Sequence, residues 1–189
     1  EFQTFLKESP DHQRADEAVF LLGESLVQLQ LFEDAQARFS EFLQRAPQHR
    51  FATQARFRVG ETAFLGGDNQ AAQKALREFH QQHPQDPLNA YALAYLGQLA
   101  LDASDGPGAE AVYNQALRQF KQGPLDVECR FGIAQAFELQ GKLDEALRFY
   151  QFLAENHHGP RADDAQLRSG ILHYKIGHYD LAVVALSAI

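Results

Sequence analysis

A small residue recurs through this chain at a fixed distance from an alanine, and that recurrence constrains the fold more than any other feature of the sequence. Gly23 is followed twelve residues on by Ala35, Gly60 by Ala72, Gly97 by Ala109, Ala134 by Ala146 and Gly170 by Ala182. The five starting points lie 37, 37, 37 and 36 residues apart. Glycine inside a helix costs about 0.5–1 kcal/mol relative to alanine, so its place between apolar pairs such as Leu21-Leu22 and Leu26-Val27 needs a structural reason. Antiparallel helices approach to about 8 Å only where the facing side chains are small, and glycine set against alanine would supply that crossing. A unit of 36–37 residues is too short to bury an apolar face alone, so successive units are expected to stack.

Within each unit the apolar residues fall at helical spacing in two bursts around a short breaker. The first unit shows Val19, Leu22, Leu26 and Leu29, then Phe32, Ala35, Phe39, Phe42 and Leu43, closing with Pro47. The second shows Val59, Ala63 and Phe64, the breaker Gly66-Gly67-Asp68-Asn69, then Ala72, Leu76, Phe79 and Pro84. This pattern predicts two amphipathic helices joined by a turn, with Asp68 as an N-cap and Pro84 as a stop. Later breakers stand at 104–108, Gly141-Lys142 and Gly177-His178.

Residues 2–10, FQTFLKESP, align with 39–47, FSEFLQRAP, sharing Phe2, Phe5, Leu6 and Pro10. The chain therefore reads as one repeat domain over 1–189. It comprises the end of a partial repeat at 1–10, full repeats at 11–47, 48–84, 85–123 and 124–159, and a truncated repeat at 160–189. No strand signal interrupts it.

Charge and composition remove several function classes. With 25 acidic against 17 basic residues and a net charge of −8, the chain has no Lys/Arg cluster to neutralise phosphates, so nucleic acid is not an expected partner. No apolar run approaches the ~18 residues of a membrane span, so direct membrane insertion is not expected either. The single Cys129 forbids an internal disulfide and any multi-cysteine zinc site, and is compatible with both a reducing cytosol and a periplasm. With no methionine and a start at Glu1, the chain reads as a piece of a longer protein.

His80 and His83 share a helical face at a spacing that can bind metal, but no third ligand accompanies them, and histidines near a helix C-terminus also suit the negative end of its dipole. The pair His157-His158 falls in an inter-repeat turn. The segment DASDGPGAE (102–110) lacks the alternating acidic ligands of a calcium loop, and reads instead as Asp105 capping a helix that Gly106-Pro107 begins. Cys129 is expected to be buried and inert. No acid, base and nucleophile belong together, so no catalysis and no cofactor are expected.

A small residue in a first helix, a breaker, and an alanine in a second helix form a fairly specific pattern. It is completed by an aromatic or leucine four residues further on (Phe39, Leu76, Tyr113, Tyr150, Leu186) and a terminating proline (Pro47, Pro84). It resembles the tetratricopeptide repeat over essentially the whole chain. The chain departs from the family where the usual early aromatic is replaced by Val19, Arg56, Leu93 and Arg130, and where the proline moves later, to Pro124 and Pro160. The 36–37 residue period and spacers such as APQHRFATQA resemble a branch that includes bacterial cell-envelope proteins, the outer-membrane assembly lipoprotein and the Tol-Pal-associated coordinator. Sister repeats in cytosolic bacterial proteins share that spacing; the resemblance favours the periplasm or cell envelope over the cytoplasm.

The resemblance implies an all-α, right-handed superhelical solenoid of antiparallel helix-turn-helix repeats, its concave face lined mainly by first helices. By helical spacing that face carries Glu17, Phe20, Glu24 and Gln28, then Gln54, Arg58, Glu61 and Leu65. It continues with Tyr91, Tyr95, Gln98 and Asp102, then Glu128, Gln135 and Leu139, and finally Asp164, Arg168 and Lys175. Tyr91 and Tyr95 offer flat apolar anchors, or else pack between neighbouring first helices. Glu24, Glu61 and Asp102 would favour Lys or Arg on a partner. Repeats that grip the C-terminal carboxylate of chaperones use Lys, Asn and Arg, and here Glu24 and Glu61 stand where asparagines would be, which argues against such a clamp.

The expected function is a non-catalytic scaffold that holds a peptide or helix of a partner protein along this face, within a larger bacterial assembly. The partner is expected to carry basic and aromatic or apolar residues. The alternative is a regulatory or sensor repeat module of a longer polypeptide whose effector domain lies elsewhere. Both ends present apolar residues, Phe2, Phe5 and Leu6 against Ala182, Leu186 and Ile189, so end-to-end self-association is a further expectation.

Overall fold

The structure, a computed structural model, describes residues 14–188. The partial repeat at 1–10 and Ile189 lie outside the described residues. Ten helices and no strands occur among them: α1 (Ala15–Gln28), α2 (Phe32–Arg45), α3 (Ala52–Leu65), α4 (Asn69–Gln82), α5 (Leu88–Asp102), α6 (Gly106–Gln119), α7 (Asp126–Leu139), α8 (Leu143–Asn156), α9 (Pro160–Lys175) and α10 (Tyr179–Leu186). The chain divides into two compact units, residues 1–95 and 96–189, with the boundary inside α5. In the first unit α1 packs on α2, α2 on α3 and α3 on α4; in the second α6 packs on α7, α7 on α8, α8 on α9 and α9 on α10.

The breakers fold alike. Each first helix ends in a residue with positive φ: Gln30 (59°), Gly67 (82°), Ser104 (58°), Gly141 (71°) and Gly177 (83°). Around each, two hydrogen bonds close a Schellman motif. Leu31 N–H donates to Leu26 C=O at 2.9 Å and Gln30 N–H to Val27 C=O at 2.9 Å. The same pair of bonds recurs from Asp68 and Gly67, from Asp105 and Ser104, from Lys142 and Gly141, and from His178 and Gly177. In two of these turns the next helix is also capped by a side chain: Asp68 Oδ1 accepts from Ala71 N–H at 3.0 Å, and Asp105 Oδ1 from Gly108 N–H at 2.9 Å. Asp105 thus caps a helix as its sequence context predicts.

The small residues of the first helices have different partners from those expected. A Cβ on Gly23 would sit 2.7 Å from the Phe39 ring, one on Gly60 2.8 Å from Leu76, one on Gly97 2.5 Å from Tyr113 and one on Gly170 2.6 Å from Leu186. The side chain that fills the glycine's gap is therefore the large residue one helical turn beyond the alanine. Phe39, Leu76, Tyr113 and Tyr150 are all buried, so each seats as a knob in the hole that the small residue leaves, and burying such a side chain contributes about 1.5–3 kcal/mol. Ala35, Ala72, Ala109, Ala146 and Ala182 are buried beside these knobs.

A second small position lies five residues earlier in each first helix: Ala18, Ala55, Ala92, Cys129 and Ala165, all buried. Ala55 belongs to the cluster of Phe39 and Phe42 from the preceding second helix, and Ala165 to that of Tyr150 and Leu153. The glycine series closes each helix pair, and this series closes one pair on the next. Cys129 stands in an alanine register, buried, and desolvation raises its thiol to about 12. Its burial matches the expectation from sequence.

Candidate functional site

Positions on the first helices line up in columns when the repeats of the sequence are aligned. One column runs Glu17, Gln54, Tyr91, Glu128, Asp164; a second runs Leu21, Arg58, Tyr95, Gly132, Arg168; a third runs Glu24, Glu61, Gln98, Gln135. Phe20, expected on this face, is instead 3% exposed and packs among Phe39, Phe42 and Phe51, with ring centroids 4.7 to 5.6 Å away. Leu21, one residue on and about 100° around the helix, occupies the repeat position of Arg58 and is 41% exposed.

In the first unit four of the predicted residues converge. Arg58 donates from Nε to Glu24 Oε1 and from Nη2 to Glu24 Oε2, both at 2.8 Å, bridging α3 to α1 in a bidentate pair. Its Nη1 donates to Glu61 Oε2 on the same helix. Tyr95 Oη, from α5, donates to the other Glu61 oxygen at 3.1 Å. The result is a ladder, Glu24–Arg58–Glu61–Tyr95, running across three first helices. Burial opposes the charge on Arg58, yet its hydrogen bonds to Glu24 and Glu61 and their negative charge leave its pKa raised. Desolvation, then the Glu61 carboxylate, raise that of the Tyr95 phenol. Glu61 itself is 8% exposed, a buried carboxylate held by two donors. Two of the three carboxylates expected to attract a basic partner, Glu24 and Glu61, are therefore already paired within the fold.

The two tyrosines divide between the alternatives left open by the sequence. Tyr95 packs on Phe64 at 4.7 Å and is tied down by Glu61. Tyr91 stays 37% exposed, its ring edge-on to buried Phe57 at 6.4 Å. Glu17 pairs with Arg50 Nη2 at 2.8 Å, and Gln54 is half-buried on α3.

In the second unit Gln98 Nε2 donates to Asp102 Oδ1 at 2.8 Å. Glu128 accepts from Arg161 Nε at 2.8 Å and Nη2 at 2.5 Å, and Asp164 accepts from Arg161 Nη1 at 3.2 Å. The hydrogen bonds to Glu128 are the main cause of the raised Arg161 pKa. Gln135 is half-buried on α7. Arg161 was absent from the residues singled out in the sequence, although a signal for it exists. Glu17 and Arg50, and Glu128 and Arg161, both stand 33 residues apart, whereas Gln54 and Tyr91 are followed at that distance by Pro87 and Pro124. Acid and arginine occur together, one repeat apart, or neither occurs.

His80 lies on α4, but His83 caps its C-terminus outside the helical turn, so the two do not share a helical face as the spacing suggests. His80 Nδ1 lies 3.1 Å from Asn89 Oδ1, and fully buried Asn89 donates to Pro84 C=O at 2.8 Å, which fastens the inter-repeat turn. The His83 ring lies 5.2 Å from that of Phe79. No group of three or more His, Cys, Asp or Glu disposed to hold a metal ion occurs among the described residues, and no described helix is long and apolar enough to cross a membrane.

Comparison with known proteins bears on this arrangement. A family model described as "Tetratricopeptide repeat" matches residues 20–87, 66–124 and 96–156. No curated protein matches the chain. Among solved structures, a tetratricopeptide repeat protein from Parabacteroides merdae is similar with a TM-score of 0.77 at 15% identity, over 99% of this chain and 69% of that one. MamA from Desulfovibrio magneticus is similar with a TM-score of 0.73 at 13% identity, over 92% of each chain. YrrB, described as a repeat protein of this kind with an unusual peptide-binding site, is similar with a TM-score of 0.70 at 17% identity, over 98% of this chain and 89% of that one.

Proposed function

The chain belongs to the tetratricopeptide repeat family, whose members are generally non-catalytic scaffolds for protein partners, and we propose that it binds a segment of a partner protein on the polar face of its first helices. In the first unit that face comprises Glu17, Glu24, Gln54, Arg58, Glu61, Tyr91 and Tyr95. Gln98, Asp102, Glu128 and Gln135 form the corresponding face of the second. The protein acts as an adaptor in a larger assembly and carries out no chemistry of its own.

The observation that carries this reading is Tyr91. Tyrosine is rich in contact area and low in conformational entropy, and this one is held exposed by a buried aromatic neighbour, Phe57, on an ordered helix. An aromatic side chain presented in this way is pre-organised, so little ordering cost falls on binding. The peptide-binding description of YrrB, a fold relative, accords with this reading.

The test is affinity capture with the full-length protein beside its Tyr91→Ala variant, followed by a direct binding measurement with each purified partner. A partner whose affinity falls tenfold or more in the variant, with the helical circular dichroism unchanged, supports the face; ~1.4 kcal/mol corresponds to that tenfold loss. Equal affinity of all partners for both proteins would remove it.

A further inference from the structure

We infer that the first-helix face of the first unit selects a partner segment bearing uncharged apolar or aromatic side chains, and that Arg58 sets this preference by engaging both carboxylates on it. The inference rests on the reading above that this face binds, and it specifies what the face accepts.

By sequence alone, Glu24 and Glu61 make the face acidic and call for a basic ligand. The structure weakens that attraction, because Arg58 cancels one of the two negative charges and holds both carboxylates in hydrogen bonds. All three guanidinium nitrogens of Arg58 donate to the two carboxylates, and each of the four carboxylate oxygens accepts a hydrogen bond, three from Arg58 and one from Tyr95. A lysine or arginine arriving on a ligand would have to be desolvated against acceptors already bonded, beside a resident cation. Glu17, the remaining acid of the face in this unit, is paired with Arg50.

Beside the exposed polar Gln28, the face leaves three apolar side chains exposed around the ladder. Leu21 stands at the repeat position of Arg58, Leu65 lies one turn beyond Glu61, and Tyr91 lies one turn before Tyr95. They are 41%, 42% and 37% exposed. A polar ladder whose four carboxylate oxygens are each already bonded, flanked by exposed apolar side chains, favours ligand groups that need no hydrogen bonds there.

The experiment is selection of a displayed random-peptide library on the whole protein and on three variants. On the unaltered protein, Phe, Tyr, Leu and Ile should be enriched with Lys and Arg at background. A synthetic copy of a selected peptide should change its affinity less than about threefold between roughly 0.05 and 0.5 M salt. Arg58→Gln, which frees both carboxylates, should switch the selection to Lys and Arg. Glu24→Gln with Glu61→Gln, which frees the arginine, should switch it to Asp and Glu, and this variant serves if the first does not fold.

Enrichment of Lys or Arg on the unaltered protein, with affinity falling more than about tenfold over that salt range, would overturn the inference and leave the binding face standing. Unchanged selection by whichever charge variants fold would also overturn it. Absence of any enriched peptide, or peptides whose binding is indifferent to Tyr91→Ala, would overturn the binding face and this inference together.

Discussion

The ring of Tyr113 occupies the space that a side chain on Gly132 would need: a Cβ there would fall 2.4 Å from the ring. Gly97 faces the same ring, at 2.5 Å for its own absent Cβ. Tyr113 is thus clasped between a glycine of its own helix pair and a glycine of the next, and can yield toward neither.

Gly132→Ala is therefore expected to destabilise the protein by about 1–3 kcal/mol, although alanine is the better helix former by about 1 kcal/mol. Ala109→Phe, at a fully buried position, should overpack the same helix pair at least as severely. Urea unfolding monitored by circular dichroism measures both. A Gly132→Ala protein as stable as the parent would show that the Tyr113 ring has room to move.

Ser104 adopts φ of 58° at a turn position where three of the five repeats use glycine. Left-handed backbone costs an L-residue roughly 1–2 kcal/mol, in part recovered in the entropy of the unfolded chain. Ser104→Gly should accordingly raise stability by up to about 1 kcal/mol, and Gly141→Ala lower it by about as much. Thermal midpoints of the two variants should move in opposite directions.

Arg58→Ala leaves the buried Glu61 carboxylate without its cation and separates α3 from Glu24. A loss of about 1–3 kcal/mol is expected, short of that for a fully buried pair because the Arg58 side chain retains 23% exposure. Arg161→Ala, whose pair with Glu128 is about twice as exposed, should cost under about 1 kcal/mol. Denaturant midpoints for both variants, in low and high salt, check the ranking; the Arg161 pair should show the stronger salt dependence.

His173 is 4% exposed, with Nε2 3.2 Å from the Gln151 amide nitrogen and Nδ1 without a hydrogen-bond partner. Burial first, and then the charge of nearby His178, hold its pKa below the ordinary 6.5. A histidine that resists protonation when folded contributes stability above its unfolded pKa and loses it as pH falls, because the unfolded chain then binds the extra proton. Stability should decline as pH drops below about 6.5, and His173→Leu should show a shallower decline. Thermal midpoints from pH about 7.5 to 5 compare the two; parallel curves would exclude His173 as the source.

Much of the fold was legible because a repeat records its own packing. Gly66-Gly67-Asp68 and Gly141-Lys142 announce turns through backbone geometry that few residues tolerate, and Asp68 and Asp105 announce caps through one local hydrogen bond each. The glycine and alanine series announced a close crossing, but not that Phe39 or Tyr113 fills it. The knob stands sixteen residues from its glycine, on the next helix, and its choice of hole depends on how the two helices rotate about their axes. Phe20 and Leu21 show the same limit: adjacent in sequence, one enters the core and the other faces solvent, and helical spacing alone placed the buried one on the exposed face.

The candidate face was legible as a set of positions and illegible as chemistry. Sequence alone determined that Glu24, Arg58, Glu61 and Tyr95 recur on first helices, because helical period and repeat length are properties of the chain. Only the tertiary structure decided that they bond to one another, turning two free acids into a hydrogen-bonded ladder, and that Tyr95 is held while Tyr91 stays exposed. Such pairing depends on the separation and setting of helices more than thirty residues apart, and hydrogen bonds decay over tenths of an ångström, a precision that periodicity does not carry.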